Sequence, residues 1–178
     1  MVVVVIIAVL AAISVPLFVS KIRERRAQQT ALQLAGLYRD ARMRALGRGS
    51  AVLVRHDAGT WTVQEGVEGA EAAEERTGSE DCRSLPTRGC LTNPWNGTAS
   101  RDIATFKPAD VSSDITAKFS DETSRDICFT PLGRTFAREG NDPFEPLTSV
   151  VSIDVQRGDS GLNRRVIIMP NGTARLGL

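Results

Sequence analysis

The chain opens with twenty residues, Met1 to Ser20, that carry no charge, and the first charged side chain is Lys21. A helix over Met1–Val19 would be about 28 Å long, close to the thickness of one hydrocarbon core. β-Branched residues are frequent in this run. Even so, its length and lack of turn signals predict a membrane helix, not a strand. Pro16 is expected to kink it, because proline removes a backbone donor and crowds the preceding turn. The run has neither the basic start nor the small-residue cleavage site of a secretory signal. Lys21, Arg23, Arg25 and Arg26 follow directly. Positive residues favour the cytoplasmic side, which would leave the C-terminal part inside the cell unless a more basic leader precedes Met1. The sequence is therefore expected to begin partway into its first segment.

Beyond these charges the pattern turns amphipathic. Ala27, Ala31, Leu34, Tyr38, Ala41 and Ala45 recur at alternating spacings of four and three, which makes one apolar face of a helix. Arg23, Arg25, Arg39, Asp40, Arg42 and Arg44 lie largely off that stripe. The helix is predicted to end near Gly47-Arg48-Gly49, where glycine permits a left-handed turn, after a total length of about 70 Å. Three regions result: residues 1–20, a transmembrane or filament-core half; 21–49, an amphipathic half; and 50–178, a β-rich head. The first half can sit in lipid or against copies of itself through Met1, Val5, Ile6, Val9, Leu10, Ile13, Pro16 and Leu17. The second offers its stripe to the head.

In the head the period falls to two. Ala51–His56 and Thr60–Gln64 flank Asp57-Ala58-Gly59, a hairpin signal. Ile103–Phe106 and Ile115–Phe119 are further strand candidates. Ile127–Thr130 and Arg134–Ala137 flank Pro131-Leu132-Gly133. Leu147–Val155 and Arg164–Met169 are the longest strands, and Asn171-Gly172 turns into Thr173–Leu176. No second helix is predicted. Glu65 to Asp81 is rich in Gly, Ala and Glu and reads as a solvated loop. The fold class is α+β: a long N-terminal helix packed on antiparallel sheet.

Three cysteines refine this. Cys82 and Cys90 enclose a short turn-rich stretch and form the natural pair if the head lies outside the cytoplasm. Closing so small a loop would contribute roughly 2–3 kcal/mol. Cys128, inside an apolar strand, reads as a buried free thiol. A zinc site needs about four ligands, and His56 is the only histidine. A net charge of +1 and 5% aromatic residues give no argument for bulk nucleic-acid binding or base stacking.

The run from Met1 through Pro16, with Ala11-Ala12-Ile13 and Pro16 its most telling part, resembles the N-terminal helix of type IV pilins and type II secretion pseudopilins. Residues 33–54 resemble the helix end and first strand of the GspH/FimT/FimU group of minor pilins and pseudopilins. Asp126–Arg138 resembles that group's apolar strand, proline-glycine turn and returning strand, and Val166–Leu176 repeats the shape. The middle of the head is unmatched. The resemblance implies the pilin fold and a basic leader removed by a prepilin peptidase, with methylation of the new amino terminus. It further implies storage in the bacterial inner membrane with the head in the periplasm, then incorporation into a filament. The implied partners are the major pilin, other minor pilins and an inner-membrane assembly platform, and the implied station is the filament tip, where such proteins help to initiate assembly. A pseudopilin of a type II secretion system is the alternative. Some members of the group are implicated in DNA uptake, and Arg134, Arg138, Arg157, Arg164, Arg165 and Arg175 could form a basic face for it.

Catalytic chemistry is not evident. His56 sits beside a hairpin turn and reads as a surface or edge residue. Glu65, Glu68, Glu71, Glu74 and Glu75 read as a charged loop, not paired catalytic carboxylates. The Asn-Gly-Thr triplets at Asn96 and Asn171 are of a kind common by chance, Asn171-Gly172 is explained by its turn, and Arg157-Gly158-Asp159 reads as a hairpin loop. No enzyme activity, cofactor, metal or small-molecule substrate is expected.

Overall fold

A computed structural model describes residues 2–67, 87–91, 95, 99–121, 123–158 and 163–177, with side chains from Glu24 onward. Helix α1 runs over Val2–Arg48 and stays helical through Pro16. After it come β1 (Val52–Asp57), β2 (Thr60–Gly66) and β3 (Ser100–Phe106), then a four-residue helix α2 (Pro108–Val111) that the sequence pattern did not predict. The rest of the head is β4 (Ile115–Phe119), β5 (Arg125–Phe129), β6 (Thr135–Glu139), β7 (Glu145–Pro146), β8 (Val151–Arg157), β9 (Arg164–Ile168) and β10 (Ala174–Gly177).

All pairings are antiparallel. Six strands form one sheet in the order β3-β2-β1-β5-β6-β7, and four form a second in the order β10-β9-β8-β4. The β1–β2 hairpin turns at Ala58 (φ 45°) and Gly59 (φ 76°), two left-handed residues in succession, as a tight hairpin loop requires. β2 runs two residues beyond its predicted end, so Glu65 belongs to a strand and is buried. The glutamates at 68, 71, 74 and 75 lie outside the described residues.

The main core lies between α1 and both sheets. Ala27, Ala31, Leu34, Ala35, Tyr38, Ala41 and Ala45 meet Val52, Val54, Trp61, Ile127 and Phe129 of the six-stranded sheet and Ile153, Val155, Val166, Ile168 and Ala174 of the four-stranded one. Five of those seven helix residues are alanines, so both sheets can approach the helix backbone without voids. A second, smaller core covers the opposite face of the six-stranded sheet. There Ala51, Leu53 and Cys128 pack with Cys90, Trp95, Phe144 and the half-buried Phe136. β1 and β5 are therefore sandwiched, sending Val52, Val54, Ile127 and Phe129 to the helix and Leu53 and Cys128 the other way.

This second core corrects the cysteine assignment. Cys90 is bonded to Cys128, with S–S 2.09 Å and Cα–Cα 6.0 Å, and not to Cys82. Cys128 is not a free thiol, and Cys82 lies outside the described residues. The physical reason is the pleat: alternate residues of β5 face opposite sides, so Cys128 points to the far face, where the segment holding Cys90 covers it. Trp95 Nε1 donates to the Cys90 carbonyl at 3.1 Å, which fixes the segment locally.

The two sheets meet on the flanks of α1. A Cβ at Gly172, in the β9–β10 turn, would stand 2.7 Å from Thr135 Oγ1 and 3.1 Å from Arg42 Cδ, and Gly172 has φ +77°. Gly172→Ala should therefore cost about 1–3 kcal/mol. At Gly36, in the middle of α1, a Cβ would meet nothing within 4 Å, so Gly36→Ala should be neutral or raise stability by up to about 1 kcal/mol through helix propensity. Denaturant unfolding of the two variants should thus shift in opposite directions or leave Gly36→Ala unchanged. Removing the bridge with Cys90→Ser should cost about 4 kcal/mol in the chain-entropy account for a separation of 38 residues. Alkylation without reduction should label Cys82 alone, read by peptide mass.

Candidate functional site: the helix–head junction

The last turns of α1 present Arg44 and Arg48 toward the end of β2, where Glu65 is 3% exposed. Glu65 Oε2 accepts from Arg44 Nη2 at 3.1 Å and from Arg101 Nη2, on β3, at 2.8 Å. Glu65 Oε1 accepts from Ser50 Oγ at 2.9 Å and lies 3.2 Å from Arg48 Nε. One carboxylate thus joins the helix, a serine two residues past its end and two strands. Burial alone would push the Glu65 carboxyl up, but hydrogen bonds from Arg101, Ser50 and Arg44 outweigh it and hold the carboxyl below its usual range. This is the energetically sensible arrangement for a buried acid, since an unpaired one would protonate or unfold its surroundings.

Two turns earlier, Trp61 Nε1 donates to Tyr38 Oη at 3.2 Å, and both side chains are fully buried. Burial raises the Tyr38 phenol well above its ordinary value despite that hydrogen bond, so it stays neutral. At the N-terminal side, Glu24 Oε1 accepts from Arg164 Nη2 of β9 at 3.2 Å. The helix is therefore tied to the head at its lower, middle and upper levels.

The opposite side of α1 is bare. Leu32, Met43 and Leu46 are 45%, 62% and 40% exposed, and at 100° per residue they fall with Gly36 on one face. Beside that face an open groove of about 540 Å³ runs between Leu37 and Ala41 of the helix and Val63, Ile103 and Ala104 of β2 and β3.

Elsewhere the head offers little reactive geometry. His56 Nδ1 lies 2.7 Å from Ser124 Oγ, but Asp126 Oδ1 accepts from the His56 backbone N–H and not from the ring. The imidazole is packed between Trp61 and Phe119, with centroids 4.3 Å and 5.3 Å away. Burial lowers its pKa against the pull of Asp126 and Asp57. It is a half-buried inter-sheet contact on β1, a strand paired on both sides and so not an edge. Among the described residues no group of three or more His, Cys, Asp and Glu side chains could hold a metal ion.

The six arginines of the expected basic face do not act together. Arg138 pairs with Asp126 at 3.0 Å and lies over the Phe144 ring. Arg157 pairs with Asp114 at 2.7 Å, Arg164 with Glu24 at 3.2 Å and Arg165 with Asp154 at 2.8 Å. Hydrogen bonds from Ser112 and Arg157 bring the Asp114 carboxyl down to about 2. Only Arg134 and Arg175 lack an ion pair among the described residues. Asp159 and Asn96 lie outside those residues, as do the side chains of Met1, Val5, Ile6, Val9, Leu10, Ile13, Pro16 and Leu17. Among the described residues no helix is long and apolar enough to cross a membrane.

One long helix with its residues 24–48 laid along two antiparallel sheets matches a solved architecture. The crystal structure of the Pseudomonas aeruginosa type IV minor pilin FimU superposes with a TM-score of 0.54 at 11% sequence identity, covering 88% of this chain and 91% of that one. The chain has the type IV pilin fold. A second crystal form of the same minor pilin gives a TM-score of 0.45 at 13% identity, over 85% of this chain and 92% of that chain. No protein-family profile matches the sequence, and no curated protein does. The pilin likeness is thus carried by backbone architecture.

Within this pilin fold the Glu65 cluster was missed by sequence reasoning. Its one signal was an acid at the end of an alternating strand, with arginines at 44 and 48 on the facing helix end. Glu65→Gln should lower stability by about 2–3 kcal/mol, since it removes charge-assisted hydrogen bonds from a buried site. The depressed Glu65 pKa contributes stability that is complete above the unfolded value near 4.5 and is lost as pH falls through the folded value. Thermal unfolding followed from pH 6 to pH 3 should therefore drop more steeply for the native chain than for Glu65→Gln.

Proposed function

We propose that this chain is a minor pilin, a structural component of a type IV pilus that sits at the filament tip and helps to initiate assembly with the major pilin and other minor pilins. The observation that carries the reading is the pilin architecture itself, in which the amphipathic half of α1 packs on the head and an uncharged run, Met1–Ser20, precedes it in the sequence. In this reading Met1–Ser20 holds the chain in the inner membrane, where the assembly platform collects it, and then enters the filament core. The stripe from Ala27 to Ala45 stays closed against the head, and the head faces outward. Its role is structural and not catalytic.

Deleting the gene in the source cell should remove most surface filaments seen by electron microscopy, and the intact chain supplied in trans should restore them. Immunogold label on the head should then mark filament ends. Filaments unchanged in the deletion strain overturn the reading. Normal filaments together with lost secretion of folded proteins would instead place the chain in a secretion pseudopilus.

A further inference from the structure

The six-stranded sheet ends in two edges of unequal quality. β7 is two residues long, and its Pro146 has no N–H to offer a neighbour. β3 is seven residues long and contains no proline. β2 pairs with one side of it. On the other side Asp102 to Phe106 meet no strand among the described residues. Backbone groups alternate in direction along a strand, so every second N–H and C=O of this stretch points outward.

Beside this edge lies the open groove of about 540 Å³, lined by Leu37 and Ala41 of α1, Val63 of β2, and Ile103 and Ala104 of β3. The register shifts between Val63 and Gln64, which makes Ile103 one extra residue on β3. Such a bulge re-aims a side chain, and here the successive residues Ile103 and Ala104 both reach the groove. The bulge also breaks the ladder at that point, so regular pairing of an added strand is confined to Ala104, Thr105 and Phe106. Ile103 and Phe106 pack on the main core and stay half-buried.

The free charge at the groove is acidic. Arg44 and Arg101 are held by Glu65. Asp40 also lines the groove, and Asp102 Oδ1 accepts from Gln64 Nε2 at 2.8 Å. Neither acid has an ion pair among the described residues. Lys107 stands just past the other end of β3.

We propose that this edge takes an extended segment of a partner protein, apolar at alternate positions and basic between them. Its main chain continues the sheet as a strand beside β3. Side chains of one parity enter the groove against Leu37 and Ala41, while its basic residues meet Asp102 and Asp40. Main-chain hydrogen bonds then supply affinity and the groove supplies the choice of side chain, as in β-augmentation. The edge belongs to the head and does not depend on the chain entering a filament.

The test uses the full chain in detergent micelles and short synthetic peptides. The first alternates Val and Phe with Lys and Thr. A second has Glu at each Lys, and a third is the first with its backbone amides N-methylated. Hydrogen exchange read by mass locates the contact, and binding isotherms rank the peptides. The Lys peptide should slow exchange across Ala104 to Phe106. N-methylation should weaken binding by about tenfold or more, since it removes the donors of the ladder. On the variant combining Asp40→Asn with Asp102→Asn the Lys peptide should bind about two- to fourfold more weakly. Ala104 is exposed, and Ala104→Lys should lose the protection while an intact Cys90–Cys128 bridge shows that the head has folded. No binding by any peptide, protection elsewhere in the head, or equal binding after N-methylation overturns strand addition. Equal affinity for the Lys and Glu peptides overturns the basic partner. Protection that grows with protein concentration before peptide is added gives the edge to a second copy and overturns the partner likewise.

Discussion

Everything in this protein depends on one seam of small side chains. Ala27, Ala31, Ala35, Ala41 and Ala45 let two sheets close on a single helix, and Leu34 and Tyr38 supply the bulk between them. Interiors pack to near-crystalline density, so a larger side chain at any of these alanines has nowhere to go without moving a strand. The seam explains why the sheets do not need to pack face to face. Each buries its apolar side against the helix, and they also touch one another near Gly172 and near His56.

Polar contacts then convert an oily seam into a defined register. Apolar packing resists separation but tolerates sliding and rotation, because it is non-directional. The Glu65 cluster, the Trp61–Tyr38 hydrogen bond and the Glu24–Arg164 pair are directional. Their spread along α1 leaves the head little freedom to slide or roll. Glu65 carries most of this, since it is buried and accepts from both the helix end and β3. The pairs at its exposed arginines add modestly, as surface ion pairs do.

How much of this the sequence reveals varies by element. The helix face is legible because spacings of four and three admit one reading, and the side they mark is the one the sheets cover. The antiparallel hairpins follow from turn residues such as Ala58-Gly59 and Asn171-Gly172. The pairing of Cys128 is not legible, and the reason is physical. Alternation shows that a strand has two faces but not whether the second one is covered, and a segment distant in sequence covers it here. Glu65 was hidden for a related reason. An acid beside a glycine-rich acidic stretch looks solvated until the helix end brings two arginines to it and β3 a third. Four of the six arginines proposed for a basic face stand beside carboxylates, which a count of cations along the chain does not register, as Asp154 lies opposite Arg165.

Taken together, the charges sort by level along α1. At the head's upper end, guanidinium groups are consumed in holding the helix to β2 and β3. On the outer sheet surfaces they are largely neutralised by neighbouring carboxylates. At the base of the head Arg25 and Arg26 are exposed. A helix rigidly clamped to its head behaves as one lever, so whatever fixes the depth and rotation of its base also fixes the orientation of every surface the head presents.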